Sequence, residues 1–346
     1  MKWDWKATLG LIISALLVWW VLQGVDLVEV WSVVRHAHWG FLLAAVVVAT
    51  SGFAVRAIRW RLLLHPMAPG TRFRERFAAV NIGFAANNLL PARVGEFARA
   101  WAISRLEPVP VSGALGSLVV ERFLDAVAVF SLLALALLHP SFPSEVTLAG
   151  QSLGNVVTTL VALLATLLLG LVLLLLFPDP FIRSARVMSR LLPDRAARIL
   201  MDGLVAFLSG LRSLQEPRLL FGALAWSFAF WTWNALSFWL GFRAFGIEEN
   251  FAAALFVQGI IAIGVAVPSA PGFFGTFHAA AVVGLHEVYG VGESATLAFA
   301  FGYHLGGFIP VTLMGLWYAG QMGMSWSDLG RAEEKVEAEG VTPNEP

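Results

Sequence analysis

The chain has 346 residues, a formal net charge of zero, 58% hydrophobic and 13% charged residues, and no cysteine. Soluble domains carry about 25% charged residues, so a mean hydropathy of +0.75 points to a polytopic membrane protein of all-α class. The missing cysteine excludes disulfides, thiolate metal sites and cysteine nucleophiles. With no metal-ligand or phosphate-loop spacing and no basic, aromatic-interleaved surface, neither a cofactor nor a nucleic-acid partner is expected.

In chain order, the first apolar run, Ala7 to Leu22, has a lysine-bearing lead and no small-x-small cleavage site after it. It is expected to stay as span one, with a short loop to His38 following. Span two is predicted from Gly40 to Leu64. Arg56, Arg59 and Arg61 lie at its far end and Arg72, Arg74 and Arg76 in the next loop. Basic residues near span ends face the cytoplasm, so the amino terminus is expected inside, and Arg56 and Arg59 are expected to snorkel to lipid phosphates.

Two short apolar arms follow, Phe77 to Leu90 and Phe97 to about Ile103, around a break from Pro91 to Glu96. Fourteen helical residues rise only ~21 Å, short of a ~30 Å hydrocarbon core. The arms therefore read as a re-entrant hairpin, returning near Arg99, Arg105 and Glu107. Span three is predicted over Ser112–Leu138 and span four over Val156–Phe177. Arginines among apolar residues across 178–218 predict an amphipathic cytoplasmic linker. Span five is predicted over Leu219–Phe242, a second hairpin over Ala252–Tyr289 with its tip at Pro268–Gly275, and span six over Thr296–Gly320. The polar segment 325–346 reads as a disordered tail. These elements make one transmembrane domain, residues 1–324, of six spans and two hairpins, with both termini cytoplasmic.

The two breaks are related. Pro271 lies 180 residues after Pro91, and aligned there both tips read P-x-x-x-G-x-F. At that offset residues 40–138 overlay 220–318, each as span, hairpin, span. Three crossings separate equivalent starting points, which predicts an inverted repeat whose tips meet near the midplane. Paired Gly/Pro-interrupted segments in matching halves mark transporter binding sites. Asn87, Asn88, Pro91, Arg93, Gly95 and Glu96 at the first tip, and Pro268, Pro271, Gly272 and Gly275 at the second, are the candidate path residues.

Span three adds Glu121, Arg122 and Asp125. Glu121 and Asp125 share a helix face at i,i+4, and Arg122 reaches Asp125 at i,i+3. Central charges are costly in a bilayer. The trio reads either as a self-neutralising cluster pinning the helix or as the wall of a polar cavity with a carboxylate available for proton coupling. Arg93 pairs with Glu96, to bind an anionic head group bidentately or to bond exposed tip carbonyls. His304 nearly overlays Leu124 and Asp125 by the repeat offset, which places it opposite the span-three cluster as a proton carrier or a neutral packing residue. His278 has a similar status.

The run N-N-L-L-P-x-R-x-G-E (Asn87 to Glu96), the E-R-x-x-D of span three (Glu121 to Asp125) and P-S-A-P-G-x-x-G (Pro268 to Gly275) resemble the lysylphosphatidylglycerol synthase transmembrane-domain family, the flippase-like domain proteins. The resemblance covers about residues 7–320. It implies a plasma-membrane protein that moves, or helps to make or distribute, lipids. The short polar segment after span six leaves no room for the family's soluble aminoacyl-transferase domain, so synthesis of lysyl-lipid by this chain is not expected. Where family members often carry a glutamate after the second tip glycine, this chain has Thr276-Phe277-His278, which weakens the case for a cationic head group.

The leading expectation is a non-enzymatic lipid translocator for an anionic or zwitterionic head group. The alternatives are a membrane-embedded lipid-modifying enzyme, disfavoured because His65, His278 and His304 lack partners at catalytic spacing, and a scaffold for lipid-biosynthesis enzymes docked on 178–218.

Overall fold

The computed structural model describes residues 5–23, 25–90, 93–143, 178–191, 216–266 and 269–324, with scattered positions between 155 and 201. The described residues are helical throughout, without strands. Most of span four and of the 178–218 linker, the 325–346 tail, Pro91 and Pro268 lie outside them.

Helix α1 (Trp5–Val21) is followed by a helix rather than the expected loop. Asp26 caps α2 (Leu27–Arg35) by accepting from the backbone N–H groups of Val28 and Glu29 at 2.8 and 3.3 Å. An N-cap aspartate followed by Leu, Val and Trp at helical spacing was the local signal for it. Helices α3 (Trp39–Leu64), α4 (Phe73–Leu89), α5 (Gly95–Leu106) and α6 (Val111–Leu137) then form the first half of the core. Helix α7 (Pro178–Ser189) opens the basic linker, with exposed Arg183 and Arg186.

In the second half, α8 (Pro217–Ala244) leads to α9 (Phe251–Gly264), a 3₁₀ turn (Pro271–Phe273) and α10 (Thr276–Ala281). A π-helical stretch, Val282–Val288, continues α10, and α11 (Glu293–Gln321) closes the body. Helices α3, α8 and α11 are long and apolar enough to cross a membrane. Helix α6, at 27 residues, is equally long but carries Glu121, Arg122 and Asp125 at its centre.

Both broken segments fold as antiparallel helix pairs. Gly83 of α4 abuts α5 so closely that a Cβ there would meet Gly95 O at 2.7 Å and Arg99 Cβ at 2.8 Å. In the second pair, Gly264 of α9 faces Ala280 of α10, and Gly284 faces Val257. Small residues at these positions let the arms approach at backbone distance.

The packing is reciprocal between the halves. Helix α3 packs along α8; α4 of the first pair packs on α11, and α9 of the second pair packs on α6. Two apolar clusters result. One gathers Trp60, Ile82, Trp101 and Leu118 around the first pair, and the other Phe242, Phe256, Leu285 and Phe299 around the second. Helix α6 belongs to both, through Leu118 and Leu124 at one end and Leu133 and Leu137 at the other. Its charged middle therefore falls between them.

Candidate functional site

Glu121 is fully buried on α6 and collects four guanidinium groups. Arg99 of α5 donates to it bidentately, at 2.8 Å to Oε1 and 2.9 Å to Oε2. Arg122 donates at 2.7 Å, and Arg56 and Arg59 of α3 stand 3.3 and 3.2 Å from Oε1. One turn on, Asp125 accepts from Arg59, from Arg56 at 3.3 Å and from the indole N–H of Trp231 at 3.0 Å. Arg122 lies 3.5 Å from its Oδ2. Arg59 also donates to the Ser227 hydroxyl at 2.8 Å. A buried charge is tolerated when its hydrogen-bonding capacity is used, and here every carboxylate oxygen accepts at least one N–H.

The arginines are stacked as well as paired. The Arg56 guanidinium lies 3.9 Å from the Phe230 ring centroid and 5.3 Å from that of Phe84. Arg99 lies 3.9 Å from the Trp60 ring, whose indole N–H donates to Ser117 at 2.9 Å. Ring faces of this kind stabilise a cation most where water is excluded.

Arg56 and Arg59 therefore do not snorkel. They are 5% and 0% exposed, because α3 packs with its arginine-bearing face against α6 and α8, and the two carboxylates of α6 outcompete distant lipid phosphates. Arg99 is likewise buried rather than marking the return of the hairpin to the interface. Sequence reading missed Arg56, Arg59, Arg99 and Trp231 as site residues. The available signal was charge balance: Glu121 and Asp125 had only Arg122 as a near neighbour in sequence.

Beside this cluster lies a cavity of about 480 Å³. Its charged lining is Arg56, Arg93, Arg99, Arg122, Glu96 and Asp125. Asn87 and Trp231 add polar edges, and Phe130, Ile263 and Val265 an apolar wall. Both helix pairs contribute, together with α3, α6 and α8. This size and composition fit a ligand site.

The first tip is built by side-chain caps. Asn87 accepts from Gly95 N–H at 2.8 Å and donates to Glu96 at 3.4 Å. Gly95 has no room for a side chain against Gly83 and Asn87. Asn88 points away from the cavity and donates to Thr312 of α11 at 2.8 Å. Arg93 extends over Phe273 of the second tip, 5.3 Å from its ring centroid.

At the second tip, Pro271 starts the 3₁₀ turn, and Gly272 and Gly275 take positive φ of 69° and 89°. A side chain at Gly272 would meet Phe308, and one at Gly275 would meet the backbone of Ser14. Ser14 also accepts from Ala270 N–H at 2.7 Å, so α1 braces this tip. The tips do meet, as Gly272 lies against the Asn88 carbonyl.

Of its two expected roles, His304 takes that of a packing residue and not that of a group facing the charged cluster. It lines no part of the cavity. Its ring stacks on Phe277 at 4.4 Å and lies 4.9 Å from Phe274 and 5.1 Å from His278. The second half answers the charged centre of α6 with an aromatic box, so the repeat offset predicts position along the helix but not chemistry.

A family model described as the lysylphosphatidylglycerol synthase TM region matches residues 7–315. A UPF0104 membrane protein of Methanothermobacter thermautotrophicus is 26% identical over 282 residues, 81% of each chain. A UPF0104 membrane protein of Methanocaldococcus jannaschii is 28% identical over 122 residues, 35% of this chain and 36% of that one. Glycosyltransferase AglD of Haloferax volcanii is 25% identical over 317 residues, 84% of this chain but 50% of its own length. No solved structure matches the chain.

Proposed function

The chain belongs to the lysylphosphatidylglycerol synthase TM region family, and we propose that it is a lipid translocator, moving a polar-headed lipid between leaflets without catalysing a covalent change. The observation that carries this is the cavity between the two helix pairs: charged on one wall, apolar on the other, and lined by both tips. A head group in the bilayer needs a path that replaces its hydration, while its acyl chains need contact with apolar surface. This lining offers both.

In the same reading the protein is a multi-pass plasma-membrane carrier with six spans and cytoplasmic termini. Its halves form an inverted repeat whose hairpins enter from opposite faces. The reciprocal packing of α4 on α11 and α9 on α6, about a shared α3–α8 contact, supports a two-fold relation between them. Rocking of one half on the other would expose the cavity alternately.

The test is leaflet exchange of fluorescent lipids in liposomes holding the purified protein, with Arg93→Ala and Arg122→Ala as controls. Exchange lost in both variants, with the protein inserted and folded, supports the carrier. If no lipid moves, with or without a pH gradient, the carrier reading fails in favour of a membrane enzyme or an accessory protein.

A further inference from the structure

The charges around the cavity do not cancel. Among the described residues, the guanidinium groups of Arg56, Arg59, Arg93, Arg99 and Arg122 gather about the carboxylates of Glu96, Glu121 and Asp125. Five cations against three anions leave a surplus of two positive charges. The carboxylates are already engaged. Every oxygen of Glu121 and Asp125 already accepts at least one N–H, and Glu121 Oε1 has four guanidinium groups within 3.3 Å.

Arg56 and Arg99 line the cavity with little of their surface, being 5% and 3% exposed. Arg122, by contrast, has a side chain 45% exposed. Planar guanidinium forks match the tetrahedral oxygens of phosphate. A surplus of two charges in a low-dielectric wall is best balanced by a ligand carrying two.

Building on the translocator reading, we propose that this site takes a lipid whose head ends in a phosphate monoester. A phosphomonoester carries about −1.5 to −2 charge at neutral pH and three strong acceptor oxygens. The diester of an ordinary phospholipid carries one charge and has two free oxygens. Binding a diester would leave one cation unbalanced, and a zwitterion would add another.

The experiment compares lipids that differ by one charge. The purified protein in nanodiscs of phosphatidylcholine is titrated with phosphatidic acid and with phosphatidylmethanol of the same acyl chains. Inorganic phosphate and glycerol 3-phosphate serve as soluble probes. Phosphatidic acid is expected to bind at least tenfold tighter than phosphatidylmethanol, and both soluble probes at least tenfold more weakly than phosphatidic acid. The preference is expected to collapse in Arg122→Gln, whose half-exposed side chain allows folding to be checked independently by thermal melting.

Equal binding of the two lipids overturns the monoester assignment, and leaflet exchange of either one would then leave the carrier standing. Soluble phosphate binding as tightly as the lipid overturns the assignment of a lipid ligand. Leaflet exchange of neither lipid, despite selective binding, separates the two ideas: the site is right and the translocator reading fails.

Discussion

Arg93 and Phe273 hold equivalent places in the two tips, 180 residues apart, and the guanidinium of one lies 5.3 Å from the ring of the other. Both adopt left-handed backbone, with φ of 55° and 61°. For residues other than glycine this conformation costs roughly 1–2 kcal/mol, and such strain persists only where the surroundings determine it. The two strained residues thus form the joint between the halves.

Arg93→Ala and Phe273→Ala are each expected to slow lipid exchange about tenfold or more. The double variant should be slower than either single by much less than the product of the two. Coupling of about 0.5–2 kcal/mol is the range for a cation over an aromatic face. Exchange rates from the four proteins of the cycle check it, and strict additivity would mean that the tips act independently.

Glu121→Gln removes the charge that holds Arg99, Arg122, Arg56 and Arg59 together. Breaking a buried pair in this way costs about 3–5 kcal/mol, so the variant should melt well below the wild type or fail to accumulate. Adding Arg99→Met, which removes the bidentate partner along with the acid, is expected to recover part of the loss. Thermal unfolding in detergent reads both.

Trp231→Phe keeps the ring and deletes the N–H that donates to Asp125. Hydrogen bonds to charged groups contribute about 1.5–3 kcal/mol. The variant should fold, with a lower melting temperature and a weakened response to lipid, because Asp125 and Trp231 both line the cavity. An unchanged melting curve would show that water replaces the indole.

Gly83→Ala places a methyl group against the backbone carbonyl of Gly95 on the facing arm. Overpacking costs roughly 1–3 kcal/mol, and here it also displaces Arg99 from Glu121, so loss of both stability and lipid exchange is expected. Gly307→Ala on α11, where a Cβ meets nothing within 4 Å, should leave both unchanged. Side-by-side melting and exchange measurements make the comparison.

Sequence alone exposed what is locally anomalous. Proline, glycine, amides and charges inside apolar runs stand out, because each is expensive in a bilayer, and the two tips and the centre of α6 were legible for that reason. Helix α2 escaped because its nine residues and charged ends resemble a loop. The fates of Arg56, Arg59 and Arg99 were not local. An arginine near a basic loop has the same sequence signature whether it reaches lipid phosphate or turns inward.

The sequence by itself determined the membrane class, the paired breaks, their 180-residue relation and the charged triad of α6, since these depend on residue type and spacing. Only the tertiary structure decided which cations answer Glu121 and Asp125, and that His304 sits among aromatic rings instead of facing them. The contacts of Arg56, Arg59 and Trp231 with those carboxylates join residues 65 or more positions apart. The packing of α3 against α6 and α8 creates them, and no periodicity within a single helix encodes it.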